Sequence, residues 1–369
     1  MESKQVVQGR NAMRWVKTRS MVMSGSGVVI LVSIVVLVIT GVVQLPGLVT
    51  PQSAVTITPR PVLETGLQYL GNVAFSPDGK ILAAGADIRL PDKSIEGAIV
   101  LWDTQTGQQL RTLPANPPLQ VDAVFSPDGT MLAVPAGRRI TLLKLVDGTV
   151  IQSMEEVPDG FFGRAAFTPD GRMVAAPQVE HAPSKKGGVV AIWNVQTGNR
   201  LRTFEGAEGD LSNNLVFSLD GTKIIAGSGS GKLLVWDTQS GELLQNMQGP
   251  ATKVNFVALS PDGARIAASY TEGHIVVWDA ASGKQSLMLD ASAGGYPAGL
   301  AFSPDGSLLA TSTFDGHVMI WDMSGQSIAS FEPHTELHYD YPVIAFSPDG
   351  TILAASGGKG SVALWDVKH

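Results

Sequence analysis

The chain has 369 residues, a formal charge of −7 and no cysteine. The missing thiol excludes disulfide staples, lipid attachment through cysteine and a thiol nucleophile. The acidic balance argues against a nucleic-acid partner, whose phosphates such a surface repels.

Residues 1–20 hold Lys4, Arg10, Arg14, Lys17 and Arg19 against a lone Glu2, about +4, so the remainder carries about −11. From Arg19 to Arg60 there is no charge. The apolar stretch 21–43 would span about 34 Å as a helix, enough to cross a bilayer's hydrocarbon. With positive charge before it and none directly after it, a single-pass signal-anchor helix is predicted. It places the N-terminus in the cytoplasm and the rest outside the cell membrane. A cleaved signal peptide is the competing reading, although no clear small-x-small site follows. Residues 44–54, with Pro46, Gly47 and Pro51, form a short linker that would hold the following domain near the membrane.

From residue 55 onward one phrase recurs. "AFSPDG" stands at 74–79, 301–306 and 345–350, with variants at 124–129, 166–171, 216–221 ("VFSLDG") and 258–263. Ser-Pro-Asp-Gly suits a type I turn: Ser first, Pro second with φ preset, Gly fourth. Apolar runs enter and leave it, so each copy predicts a β-hairpin. A second marker follows: "IVLWDTQTG" (99–107), "VAIWNVQTG" (190–198), "LLVWDTQSG" (233–241), "IVVWDAASG" (275–283), "VMIWDMSG" (318–325) and "VALWDV" (362–367). In the second repeat Leu143 stands in the Trp place and Lys144 in the Asp place. A further short strand follows each glycine, giving four strands per repeat.

Seven units with a period in the forties and a Trp-Asp pair resemble the WD-repeat β-propeller family over residues 55–369. The resemblance implies an all-β, seven-bladed propeller of four-stranded antiparallel blades. The seventh repeat lacks an outer strand, so residues 55–64 are predicted to supply it beside Ser361–Asp366, which would remove an open edge. Family members often carry a Gly-His and a turn Asp that bond to the Trp. Here Gly-His is missing from that place, and Asp315 alone supplies the turn Asp, with Glu96 and Glu272 as possible substitutes. Apolar packing is therefore expected to outweigh buried hydrogen bonds.

In this family, loops joining second to third strands share one face with loops joining one blade to the next. Two insertions, 87–97 and 178–188, fall between second and third strands. Tyr69, Tyr270, Tyr296, Phe314, Tyr339 and Tyr341 lie in or beside loops of that face, with Phe161 and Phe162 nearby. They are the candidate partner-binding residues, because Tyr covers much area with few rotatable bonds; capping strand ends is the alternative. "EPHTELHYDYP" (332–342) gathers His334, Glu336, His338 and Asp340, but its spacing is not His-Glu-x-x-His. "GSGSGK" (227–232) falls at a strand-to-strand turn and is not a phosphate loop.

The expected function is a membrane-tethered, extracytoplasmic, monomeric propeller that binds a protein partner, with no cofactor and no identifiable catalytic group. A metal-dependent hydrolase or lyase near His334 and His338 is the alternative.

Overall fold

The repeated turn closes in the same way in every copy. In the first, Gly79 N–H donates to Ser76 O at 2.8 Å, Ser76 Oγ donates to Asp78 Oδ1 at 2.6 Å, and Ile81 N–H returns to Ser76 Oγ at 2.9 Å. The copy at Ser218 repeats all three bonds although Leu219 replaces the proline. The glycine takes φ near +70° in all seven, which a residue with a Cβ resists.

The computed structural model describes residues 55–368 apart from 66–68, 90–94, 116–121, 155–160, 180–187, 207–208, 332–342 and 357–359. The predicted basic tail, membrane helix and linker lie outside the described residues, and no described helix is long and apolar enough to cross a membrane.

Seven antiparallel sheets follow one another along the chain. Blade 1 comprises Tyr69–Phe75, Ile81–Arg89, Ile95–Asp103 and Gln109–Ala115. Blade 2 runs from Val124 to Ser153, blade 3 from Phe161 to Phe204, blade 4 from Leu211 to Gln248, blade 5 from Val254 to Asp290 and blade 6 from Pro297 to Phe331. Blade 7 has Ile344–Phe346, Ile352–Ser356 and Ser361–Lys368, and its outer strand arrives from the other end of the fold. Thr56–Pro59 pairs antiparallel with Lys368 to Trp365, and Leu63–Glu64 pairs with Val362 and Ser361. The closure expected from the sequence is present.

Alternation along each third strand builds the packing between blades. In "IVLWD", Ile99 and Leu101 face blade 2, while Val100 and Trp102 face blade 7. Both faces are buried, so the run is continuously apolar. The same rule sends Trp193, Trp236, Trp278, Trp321 and Trp365 into the interface with the preceding blade. Leu143 occupies that place in blade 2, as its position in the repeat requires. One apolar cluster fills each of the seven interfaces, including the seam, where Leu63, Leu82 and Trp102 meet Ile352 and Leu364.

The hairpin turns of neighbouring blades touch in a ring. A Cβ placed on Gly129 would lie 3.4 Å from Pro77, and one on Gly171 would lie 3.6 Å from Pro127. The chain of contacts continues through Pro169, Leu219, Pro261 and Pro304, and closes where Gly79 meets Pro348. Each proline thus both presets its own turn and packs on the next one.

Outer strands of blades 1 to 6 are open edges, and each carries a register shift near its start, at Leu110, Ile151, Leu201, Leu244, Ser286 and Ile328. A bulge at an edge turns it away from further pairing. The outer strand of blade 7 has its one-residue shift farther along, between Pro59 and Leu63, where it also carries Pro61.

As expected, the family's polar network around the Trp is thin. Trp236 Nε1 donates to Glu205 O at 3.1 Å, whereas the buried Nε1 groups of Trp193 and Trp321 meet no acceptor among the described residues. Glu96, Glu272 and Asp315 are exposed.

Candidate functional site: the upper face and the channel

Loops between second and third strands interleave with the loops that join blades, which places both on one face. Gly188 N–H donates to Gly209 O, Gly229 N–H to Asp210 O, Gly249 N–H to Gly231 O, Thr271 N–H to Lys253 O and Ala291 N–H to Gly273 O. Among the two insertions, the one in blade 1 extends its hairpin to Arg89 paired with Ile95. The one in blade 3 is described only at its base, where Gln178 pairs with Val189.

On this face the structure brings two of the candidate aromatic residues together. Phe314 N–H donates to Tyr296 O at 2.9 Å. Tyr296 is 56 % exposed and Phe314 half-buried. The short 3-10 turn Ser292–Gly294 and the positive φ of Gly295 precede Tyr296. Gly295 takes a φ of +88°, which a residue with a Cβ resists, and the Asp315 carboxylate lies against it.

Tyr270 is not a contact residue. It is fully buried between blades 4 and 5, its ring centroid 6.2 Å from that of Trp278 and its hydroxyl donating to Gly231 O at 3.3 Å. Gly249 makes the room, because a Cβ there would overlap the Tyr270 hydroxyl. Burial pushes the phenol well above its ordinary value. Phe161 and Phe162 likewise form a strand paired with Val179 and Gln178, and Phe162 packs edge-on against Trp193 at 5.1 Å. Packing, not partner contact, holds Phe162. Tyr69 begins the inner strand of blade 1. Tyr339, Tyr341, His334, Glu336, His338 and Asp340 lie outside the described residues. Among the described residues no group of three or more His, Asp or Glu is placed to hold a metal.

The channel carries a set of residues that the loop analysis missed. Counting three back from the residue before each turn Ser or Thr gives Asn72, Asp122, Arg164, Asn214, Phe256, Gly299 and Val343. They occupy the same place in their repeats, with Phe256 and Val343 packed into the clusters between blades 5 and 6 and between blades 7 and 1. Asn72 grips blade 2, taking Ala123 N–H at 2.7 Å and donating to Ala123 O at 2.8 Å. Asn214 grips blade 5 in the same way through Val257, at 2.9 and 2.8 Å. Between them, Arg164 Nε lies 3.6 Å from Asp122 Oδ2, and its Cζ lies 4.8 Å from the centre of the Phe256 ring. Burial pushes the guanidinium below its ordinary value, and the Asp122 carboxylate pulls it partly back. The sequence signal was the polar residue recurring at that register in four repeats.

Two grooves open elsewhere on the rim. One of about 610 Å³ lies at the seam between blades 6 and 7, lined by Ile57, Arg60, Phe331, Leu364 and Trp365. The other, about 530 Å³, lies between blades 3 and 4 beside Met173, Arg202 and Asp237.

Seven four-stranded blades, five with Ser-Pro-Asp-Gly inner hairpins and five with third strands ending in Trp-Asp, define a WD-repeat β-propeller. A family profile described as outer membrane protein assembly factor BamB matches residues 70–330, and one described as anaphase-promoting complex subunit 4 WD40 domain matches 300–369. The chain belongs to the propeller family that the first profile describes, and its repeats are WD repeats.

Similar proteins include an uncharacterised WD repeat-containing protein of Synechocystis, 31 % identical over 36 % of each chain. The periodic tryptophan protein 2 homolog of Schizosaccharomyces pombe is 24 % identical over 48 % of this chain and 21 % of its own. The small ribosomal subunit protein RACK1 of Caenorhabditis elegans is 31 % identical over 24 % of each. The chain therefore spans well under half of the length of these relatives. WD-repeat propellers are generally protein-interaction scaffolds.

Proposed function

We propose that this chain is a non-catalytic scaffold, a membrane-tethered propeller facing outward from the cytoplasm that binds a protein partner through its upper-face aromatic loops. One observation carries the choice of surface. Tyr296 is a large aromatic side chain 56 % exposed, its backbone carbonyl tied to Phe314 N–H. A tyrosine covers much area with few rotatable bonds and so loses little freedom on contact, which is the chemistry of an interface anchor. Support for the tether is the apolar stretch 21–43 behind a +4 tail.

The test is capture of partners from a detergent extract by the full chain and by a variant carrying Tyr296→Ala, Tyr339→Ala and Tyr341→Ala. Loss of a partner that the full chain retains is expected, and an unchanged partner set would overturn the choice of face. Protease digestion of intact cells tests the orientation separately: the propeller should be cleaved from outside, and full protection would refute the outward placement.

A further inference from the structure

We propose that the channel of this propeller is an oxyanion site, in which the guanidinium of Arg164 holds a carboxylate or phosphate group. The proposal stands on what surrounds that side chain. Arg164 lies in blade 3 between Phe161–Phe162 and Ala166–Phe167, and its backbone N–H donates to Asn213 O of blade 4 at 2.7 Å. Its side chain then reaches past blade 4 to Phe256 of blade 5, with Cζ 4.8 Å from the ring centre. Asp122, just ahead of the inner strand of blade 2, flanks it on the other side. Residues from three blades therefore meet at one guanidinium whose side chain is 13 % exposed.

A guanidinium has five N–H donors in a planar fork. Here Nε faces Asp122 at 3.6 Å, longer than a hydrogen bond, and no described residue accepts from either Nη. These Nη groups are not sealed from solvent, so the unbonded side of the fork stands open to the channel. At the same register Asn72 and Asn214 instead pair both the oxygen and the nitrogen of the amide with the backbone of the next blade. An asparagine at 164 would continue that pattern. Arginine supplies instead an outward fork suited to two oxygens of one anion. The Phe256 ring lies against it as an apolar platform at 4.8 Å.

The two mouths of the channel differ. Asp78, Asp128, Asp170, Asp220, Asp262, Asp305 and Asp349 belong to the ring of hairpin turns at the lower mouth. That ring of seven carboxylates repels an anion, so the oxyanion enters from the upper face, where Glu96, Glu272 and Asp315 are exposed but form no such ring. Entry there is compatible with an acidic side chain of a partner, and equally with a free phosphate. Arg164 serves both through the same fork.

The experiment is titration calorimetry on the full-length chain in detergent micelles, with sodium phosphate and sodium succinate as separate probes and sodium chloride at matched ionic strength as control. Saturable binding of one probe molecule per chain is expected. Phosphate alone, succinate alone or both binding would identify the source and support the site. Arg164→Lys keeps the charge but loses the fork, and should weaken binding at least about tenfold, as should Arg164→Gln. If Arg164→Gln fails to fold, Phe256→Leu keeps the fork but removes its platform, and should weaken binding several-fold. No saturable binding to about 10 mM, an equal response to chloride, or affinity unchanged in Arg164→Lys and Phe256→Leu would overturn the proposal. None of these results depends on the Tyr296 capture experiment, so the two readings fail separately.

Discussion

Arg60 and Asp366, 306 residues apart, close the ring: Nε and Nη2 of Arg60 both lie 2.6 Å from Asp366 Oδ1, and Nη1 donates to Thr104 O of blade 1 at 2.9 Å. In blades 1, 4, 5 and 6 the equivalent Asp caps its own following turn, as Asp237 does by accepting from Ser240 N–H and Oγ at 2.6 and 2.8 Å. Asp366 instead sits inside the strand Ser361–Lys368, and the arriving N-terminal strand offers it Arg60.

Arg60→Ala should therefore loosen the seam and destabilise the propeller by about 1–2 kcal/mol, since both side chains remain partly solvated. Asp366→Asn should cost a similar amount, and the double variant less than the sum. Denaturant melts give the cycle directly; strict additivity would show that the pair contributes nothing.

Tyr270 should behave as a core residue. Tyr270→Phe removes one hydrogen bond and should cost about 0.5–1.5 kcal/mol, whereas Tyr270→Ala opens a cavity worth about 3–5 kcal/mol. Neither should change partner capture once the protein is folded. A stable Tyr270→Ala variant that loses its partner would restore this residue to the interface.

Leu219 sits where the six other turns carry proline, and its N–H makes no backbone hydrogen bond. The turn around it is otherwise the same. Leu219→Pro should stabilise the fold by about 0.4–1 kcal/mol by restricting the unfolded chain. A lowered melting temperature would mean that the Leu219 contact with the Gly263 turn outweighs this gain.

Acid should attack the ring of turns. Asp220 is held down to about 2, chiefly by the Ser218 hydroxyl and then by Thr222 N–H. Asp78, Asp128, Asp170, Asp262 and Asp349 are lowered with the same leading cause, the hydroxyl two residues before each. A carboxyl with a depressed folded value stabilises the fold above its unfolded value of about 3.9, and that stabilisation is lost as pH falls through the folded value. Melting temperature should be flat from about pH 8 to 5 and fall below about 4. Ser218→Ala should bring Asp220 back toward its ordinary range in an NMR titration of the carboxyl; an unmoved value would show that the hydroxyl is not the cause.

The candidate surface was only partly legible from the chain. Tyr296 and Phe314 were identified from their loops and do stand together. Tyr270 was grouped with them by the same reasoning, yet it turns inward. The difference lies in Gly249, a residue of the preceding blade whose missing side chain leaves a slot for the ring. Periodicity gives no warning of such a slot, because it records one strand at a time. Phe162 was misplaced for a related reason: its strand is two residues long, too short to show alternation.

What the sequence determined by itself was the number of blades, their four-strand plan, the substitution of Leu143 for Trp and the strand that closes the seam. These follow from local chemistry, since a Ser-Pro-Asp-Gly turn and a two-residue alternation act within a few bonds and repeat in register. The tertiary structure alone decided that Arg164 would meet Asp122 and Phe256 in the channel, that Tyr270 would be buried, and that each turn's proline would pack on its neighbour's glycine. Those contacts join residues from different blades, and their distances are fixed only when seven units pack side by side into a closed ring.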